Sequence, residues 1–122
     1  MNERNKDMKG LRKMRKITVQ QSKRMCKKLN GNRRGIVAKW DAKYNLFYVD
    51  LPQARMQVVP NYYEKGLWGV EIMEYLGKQV YGHDYKNIKT ERLEAFITLA
   101  YLYLTAGENV DLSKLTGIGE KV

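Results

Sequence analysis

The chain has a single cysteine, Cys26, and a single histidine, His83, among its 122 residues. One cysteine cannot form an internal disulfide, and no apolar run of signal-peptide length stands near the N-terminus, so we expect a reducing, cytoplasmic compartment. The same scarcity leaves no ligand set for a usual zinc site and no familiar pair of nucleophile and base. The sequence therefore predicts a protein that is not an enzyme and holds no metal or cofactor. We interpret Cys26 as a packed thiol and His83 as a turn residue.

Long apolar runs are also missing. The longest nearly uncharged stretch, Ala95 to Ala106, is well short of the roughly 20 residues that a membrane-spanning helix needs. No glycine pattern of a phosphate loop or a dinucleotide site occurs either. With 43% hydrophobic residues, the chain has enough apolar side chains for the core of one domain, and we expect no membrane association.

The net charge of +10 is distributed unevenly along the chain. Residues 1–34 hold thirteen lysines and arginines against two acids, a net charge of +11. The other residues hold ten basic and eleven acidic side chains, so the rest of the chain is nearly neutral. A basic segment joined to a neutral body is typical of a nucleic-acid-binding arm.

This basic segment predicts contacts with phosphates, because lysine and arginine release condensed counterions when they neutralise a nucleic acid. We expect a small accessory or regulatory protein that binds DNA or RNA with little sequence preference. An aromatic ring at a predicted loop tip, Tyr44, is a candidate for stacking on a base. The candidate binding residues are Arg12, Lys13, Arg15, Lys16, Lys23, Arg24, Lys27, Lys28, Arg33, Arg34 and Tyr44.

A second hypothesis gives the same charge a protein partner. An inhibitor or adaptor of phage or mobile-element type would place its basic arm on an acidic or RNA-bound surface of a host nucleic-acid machine, such as a nuclease effector or a polymerase. Negligible affinity for free nucleic acid at low salt would favour this hypothesis over the first.

Helix signals divide the chain into a basic, disordered arm (1–17), one α+β domain (18–107) and a C-terminal tail (108–122). Thr18 and Gln21 have the spacing of a capping box, and Gly31 is a helix stop, which together predict a helix from 19 to 30. The tail contains a short Gly-x-Gly segment, 117–119, that resembles the hairpin of a helix-hairpin-helix motif; a flexible tail is the alternative.

Three runs rich in β-branched and aromatic residues follow the first helix and predict a three-stranded antiparallel sheet: Ile36–Trp40, Leu46–Leu51 and Arg55–Val59. Apolar spacing near 3.6 predicts a helix between Leu67 and Val80, and another begins at Thr90. The predicted fold class is therefore α+β with the order α-β-β-β-α-α.

The first five predicted elements resemble a double-stranded-RNA-binding domain in their order. That family has a Gly-Pro-x-His loop between its first two strands, where this chain has Asp41–Asn45. The family's Lys-Lys-x-Ala-Lys run at its second helix is also absent near Glu64–Gly66. The resemblance is one of element order, and it assigns no binding residue here.

The last predicted helix has almost no polar side near its end. Two interpretations stay open: complete burial within the monomer, or a surface for a homodimer or another partner chain. The residues of that surface would be Leu99, Tyr101, Leu102 and Tyr103.

Overall fold

Alternating apolar and polar residues build one antiparallel sheet. The computed structural model describes residues 15–31, 35–106 and 112–122, in which six strands form a sheet whose order is the chain order. The strands are β1 (Ala38–Asp41), β2 (Leu46–Leu51), β3 (Ala54–Pro60), β4 (Trp68–Leu76), β5 (Gln79–Ile88) and β6 (Glu120–Lys121). Two α-helices, α1 (Val19–Asn30) and α2 (Thr90–Thr105), and a 3-10 helix (Leu112–Gly117) complete the described elements.

The α+β class is confirmed, but the predicted order with a three-stranded sheet is wrong. The helix predicted between Leu67 and Val80 is absent, and the same residues form β4, a turn and the start of β5. The resemblance to the double-stranded-RNA-binding domain ends there, because that fold needs a helix after its third strand. The predictions of α1, of the first three strands and of the last helix are confirmed within two residues at most ends.

The β4–β5 hairpin explains the wrong prediction. Its apolar residues fit two periods at once: Trp68, Val70 and Ile72 are buried with a spacing of two, although a spacing of three to four also links apolar residues of this segment. The glycines decide between the periods. Gly77 has φ 63° and forms a tight turn with Lys78, a backbone conformation that L side chains rarely adopt and that ends β4.

Gly69 is the second glycine that favours the strand conformation of β4. A Cβ atom at this position would lie 2.1 Å from Cδ2 and 2.6 Å from Cβ of Tyr62. The Tyr62 ring therefore packs directly on the β4 backbone, and its hydroxyl donates to a carboxylate oxygen of Glu71 at 2.5 Å. Only glycine leaves room for this ring.

The core lies between one face of the sheet and the two helices. On this face of the sheet, apolar residues of β2 to β5 lie opposite one another and are buried, and α1 and α2 cover them. The Tyr85 and Phe96 rings meet edge to face at 5.1 Å between centroids, which joins β5 to α2. Fully buried large side chains are Leu29, Ile36, Phe47, Met56, Trp68, Ile72, Tyr85, Ile88, Leu93, Phe96, Ile97 and Leu115.

The helix α2 buries most of its apolar surface in the monomer. Four of its residues are buried, and Leu99, Tyr101 and Tyr103 pack against the core as partly buried side chains. Of the four residues predicted as a dimer surface, Leu102 alone is exposed, at 42%. A dimer through α2 remains a prediction. Within the described residues, no helix combines the length and the apolar character needed to cross a membrane.

The C-terminal residues return to the sheet. Leu115, in the 3-10 helix, is completely buried in the core, and Gly119 lies so close to Ile88 that an added Cβ would meet it at 2.7 Å. Two residues of β6 then pair with Tyr85 and Lys86 at the edge of β5.

Candidate nucleic-acid interface

The exposed side of α1 carries four cations. At about 100° per residue, the buried residues Ser22, Met25, Cys26 and Leu29 occupy one side of the helix, and the basic residues fall on the opposite arc. Residues 15–31 contain six basic and no acidic side chains. The basic residues of that arc, all exposed, are Lys23, Arg24, Lys27 and Lys28.

The start of α1 is held by the predicted capping box. Thr18 Oγ1 accepts a hydrogen bond from the backbone N–H of Gln21 at 3.1 Å, and Gln21 Oε1 accepts one from the backbone N–H of Thr18 at 2.8 Å. Two further predicted cations, Arg15 and Lys16, precede the cap and are exposed. The capping box therefore fixes the point at which the basic segment becomes a rigid helix.

An asparagine after β3 positions the segment in front of α1. The side-chain amide of Asn61 accepts a hydrogen bond from the Ile17 N–H at 2.9 Å and donates one to the Ile17 carbonyl at 3.0 Å. Its oxygen also accepts from the Gly66 N–H. Asn61 has φ 57°, a conformation that asparagine adopts more readily than most other residues. No local sequence pattern predicts this role, because the hydrogen bonds to Ile17 join residues 44 positions apart.

A second asparagine holds the other end of α1. Asn30 donates to the Ala38 carbonyl and accepts from the Ala38 amide, both at 2.7 Å. These bonds satisfy the backbone groups of Ala38 that face away from β2, so the helix end covers this part of the sheet edge. With Asn61, this contact fixes α1 at both ends relative to β1 and β3.

The β1–β2 turn brings Tyr44 to the start of α1. Asp41 Oδ1 accepts from the amides of Lys43 and Tyr44 at 2.9 and 3.2 Å, and this Asx turn presents the tyrosine, which is 61% exposed. The Lys43 ammonium lies 5.2 Å from the Tyr44 ring centroid. Tyr44 and Lys16 line one cavity of about 220 Å³ with Val59 and the Ile17 and Asn61 pair. The fold thus joins the predicted aromatic residue to the predicted cations.

The cations of α1 have few partners. Lys28 forms an ion pair with Glu94 of α2 at 3.2 Å, and the two side chains are 66% and 41% exposed, so solvent screens the pair and it contributes little to stability. Lys23 lies over the Trp40 ring at 5.8 Å. Among the described residues, Lys23, Arg24 and Lys27 have no carboxylate partner within ion-pair distance.

The opposite face of the sheet is chemically different. There Asp50 accepts from Arg55 at 2.6 Å and pairs with Lys39 at 3.7 Å, so these two cations are already neutralised. The hydrogen bond from Arg55 lowers the pKa of Asp50. Burial and the adjacent Glu71 raise the pKa of Asp84 on the same face. A face that gathers carboxylates and pairs its cations is poorly suited to phosphates.

Cys26 and His83, the two residues considered for catalysis or metal binding, do not lie among the exposed cations. Cys26 is buried in the apolar side of α1, as expected for a packed thiol, and burial raises the pKa of this thiol. The interpretation of His83 as a turn residue is wrong, because it lies in β5 with Nε2 2.8 Å from a carboxylate oxygen of Glu74. Among the described residues, no group of three metal-ligating side chains is brought together.

Four of the predicted binding residues fall outside the described ranges. They are Arg12, Lys13, Arg33 and Arg34. The other seven lie on α1, immediately before it or at the β1–β2 turn, and we call this surface, formed by Arg15, Lys16, Lys23, Arg24, Lys27, Lys28 and Tyr44, the basic face.

Comparison of the chain with protein-family models, curated proteins and solved structures found no match in any of the three. The function therefore has to be inferred from the chemistry of the basic face.

Proposed function

We propose that the protein binds nucleic acid through the basic face, with phosphates on α1 and an unstacked base beside Tyr44. The observation that carries this proposal is the set of exposed cations on α1, of which Lys23, Arg24 and Lys27 lack a carboxylate partner among the described residues. A helix stabilised for its own sake would alternate acids and bases at spacings of three and four, and residues 15–31 contain no acid.

The arrangement favours backbone contacts over base readout. Four cations on a single helix face follow a row of phosphates, and each neutralised phosphate releases counterions and makes affinity salt-dependent. The cavity beside Tyr44 is smaller than the 300–1,000 Å³ typical of small-molecule sites, which suits one ring next to an exposed tyrosine. Stacking on Tyr44 adds affinity without sequence preference, because every base has a π face.

The proposal is tested by the salt dependence of binding. Fluorescence anisotropy with DNA and RNA oligonucleotides is measured for the wild type and for the variant Lys23→Gln, Arg24→Gln, Lys27→Gln. We expect the variant to lose affinity at low salt, and the log-log salt slope on duplex DNA to fall by about 2.7, roughly 0.9 for each lost phosphate contact.

A matched control removes three exposed cations elsewhere, with the changes Lys65→Gln, Lys78→Gln and Lys121→Gln. This control has the same net charge as the first variant and should retain most of the affinity, because a long-range effect is screened by salt. Equal losses in the two variants would show a diffuse charge effect and contradict a specific basic face. Negligible wild-type binding at low salt, with a nuclease-resistant protein complex recovered from a host lysate, would favour the inhibitor or adaptor hypothesis.

A further inference from the structure

The outward backbone groups at the two edges of the sheet have different hydrogen-bond partners. At β1, the Asn30 amide occupies the outward backbone groups of Ala38. At β5, β6 pairs with two residues, Tyr85 and Lys86, and the Val122 amide reaches the Asp84 carbonyl at 2.8 Å. The first half of β5 has no strand on its outer side among the described residues.

The bond from Val122 shows which β5 backbone groups face outward. The Asp84 carbonyl points away from β4, and the pairing of Gln79 to Tyr85 with β4 is regular. Because strand residues alternate, the N–H and C=O groups of Gly82 and Val80 point in the same direction. The outward groups of these two residues have no backbone partner among the described residues, and proteins usually protect such an edge with charge, proline or a bulge.

The side chains around this edge are apolar and exposed. The hairpin extends beyond β3, which pairs with β4 no farther than Glu74. The exposed fractions near its tip are 60% for Val80, 51% for Leu76, 45% for Tyr81 and 42% for Tyr75. Apolar exposure beside an open strand edge marks an interaction surface for another strand.

The charge near this edge allows the added strand to come from a second copy of the chain. Residues 67–88 hold three carboxylates against two lysines, whereas the chain as a whole carries +10. Four strand spacings of about 4.8 Å separate β5 from β1, which is roughly two Debye lengths at physiological salt. Two copies can therefore meet at this edge while their basic segments stay apart.

The sequence of β5 is also self-complementary. An antiparallel pairing centred on Val80 opposes Val80 to itself, so that the two residues exchange two hydrogen bonds. It places Tyr81 opposite Gln79 of the second copy, so that the paired segment of each copy, 79–81, ends at the turn of the hairpin, and no like charges face each other. We propose that the protein forms a two-fold dimer in which β5 strands pair through Val80 and join the two sheets.

The test is light scattering coupled to size exclusion, on nucleic-acid-free full-length protein over a range of concentrations. Val80→Pro removes the outward N–H and spares the ladder to β4, since proline is tolerated on a strand edge. We expect this variant to raise the dimer dissociation constant by at least about tenfold. Val80→Thr keeps both the N–H and the strand preference and should stay dimeric.

A second measurement needs no substitution. Hydrogen exchange by NMR should show a slow Val80 amide in the concentrated wild type and a fast one on dilution. A wild type that stays monomeric at millimolar concentration would overturn the proposal, as would protection of this amide by a copurified foreign protein alone. A dimer that survives Val80→Pro but is lost in Leu102→Glu would place the contact on α2 and also overturn it.

Discussion

The helix α1 and the β4–β5 hairpin use their charged residues in opposite ways. On α1 the cations point to solvent, and three of the four on its exposed arc have no carboxylate partner among the described residues. In the hairpin the charged groups are used within the fold, as in the contacts of Glu74 with His83 and of Glu71 with Tyr62. Substitutions that remove charge should therefore affect binding in α1 and stability in the hairpin.

The largest expected effect is in the hairpin, at Gly69. Gly69→Ala places a methyl group where the Tyr62 ring lies, so the ring must move and its hydrogen bond to Glu71 is lost. We expect a loss of about 2–4 kcal/mol in the free energy of unfolding, measured by urea denaturation. The matched control is Gly82→Ala, which has nothing within 4 Å of the new Cβ. Equal losses in the two variants would show that the Tyr62 contact is unimportant.

The next effect concerns the positioning of α1. Asn61→Ala removes the hydrogen bonds to Ile17 and Gly66 and leaves alanine at a positive φ, for an expected loss of about 2 kcal/mol. Asn45→Ala is the control, because Asn45 also has a positive φ, 54°, but makes no side-chain hydrogen bond among the described residues. Its loss should be near 1 kcal/mol. The two values are compared by chemical denaturation, and equality would contradict the role of Asn61.

A smaller effect is expected on the melting temperature, with opposite signs for two carboxylates of the outer sheet face, Asp84 and Asp50. The raised pKa of Asp84 means that its ionised form costs stability once pH rises through that pKa, so Asp84→Asn should raise the melting temperature near pH 7. The pKa of Asp50 is lowered, so its contribution is present above its ordinary value and is lost as pH falls through the folded-state value. Asp50→Asn should lower the melting temperature near pH 7, and both differences should shrink near pH 3. Shifts of the same sign would contradict this assignment.

The smallest expected effect on stability is at Glu94, the partner of Lys28. Glu94→Gln frees a cation of the basic face at a cost below about 0.5 kcal/mol, because the ion pair is exposed. Affinity for nucleic acid should rise modestly, about twofold, in the anisotropy titration. A fall in affinity would mean that Lys28 does not face the ligand.

Much of the candidate site was predictable because its signals are local. The capping box, the apolar stripe and the cations of α1 all lie within about a dozen consecutive residues and agree on one helix. The positioning by Asn30 and Asn61 was not predictable. Each asparagine bonds a backbone group that is distant in sequence or in the next element, and nothing in its neighbours indicates that partner.

The sequence by itself determined the location of the charge, the helix α1, the first three strands and the last helix. In each of these segments, local preference and apolar period favour the same structure. Tertiary structure alone decided the segment from Leu67 to Ile88, where the apolar residues fit a helix and a strand equally well. The contact of Tyr62 with the Gly69 backbone, the positive φ of Gly77 and the pairing of β4 with β3 select the strands. These are free energies of packing between distant residues, which no local pattern contains.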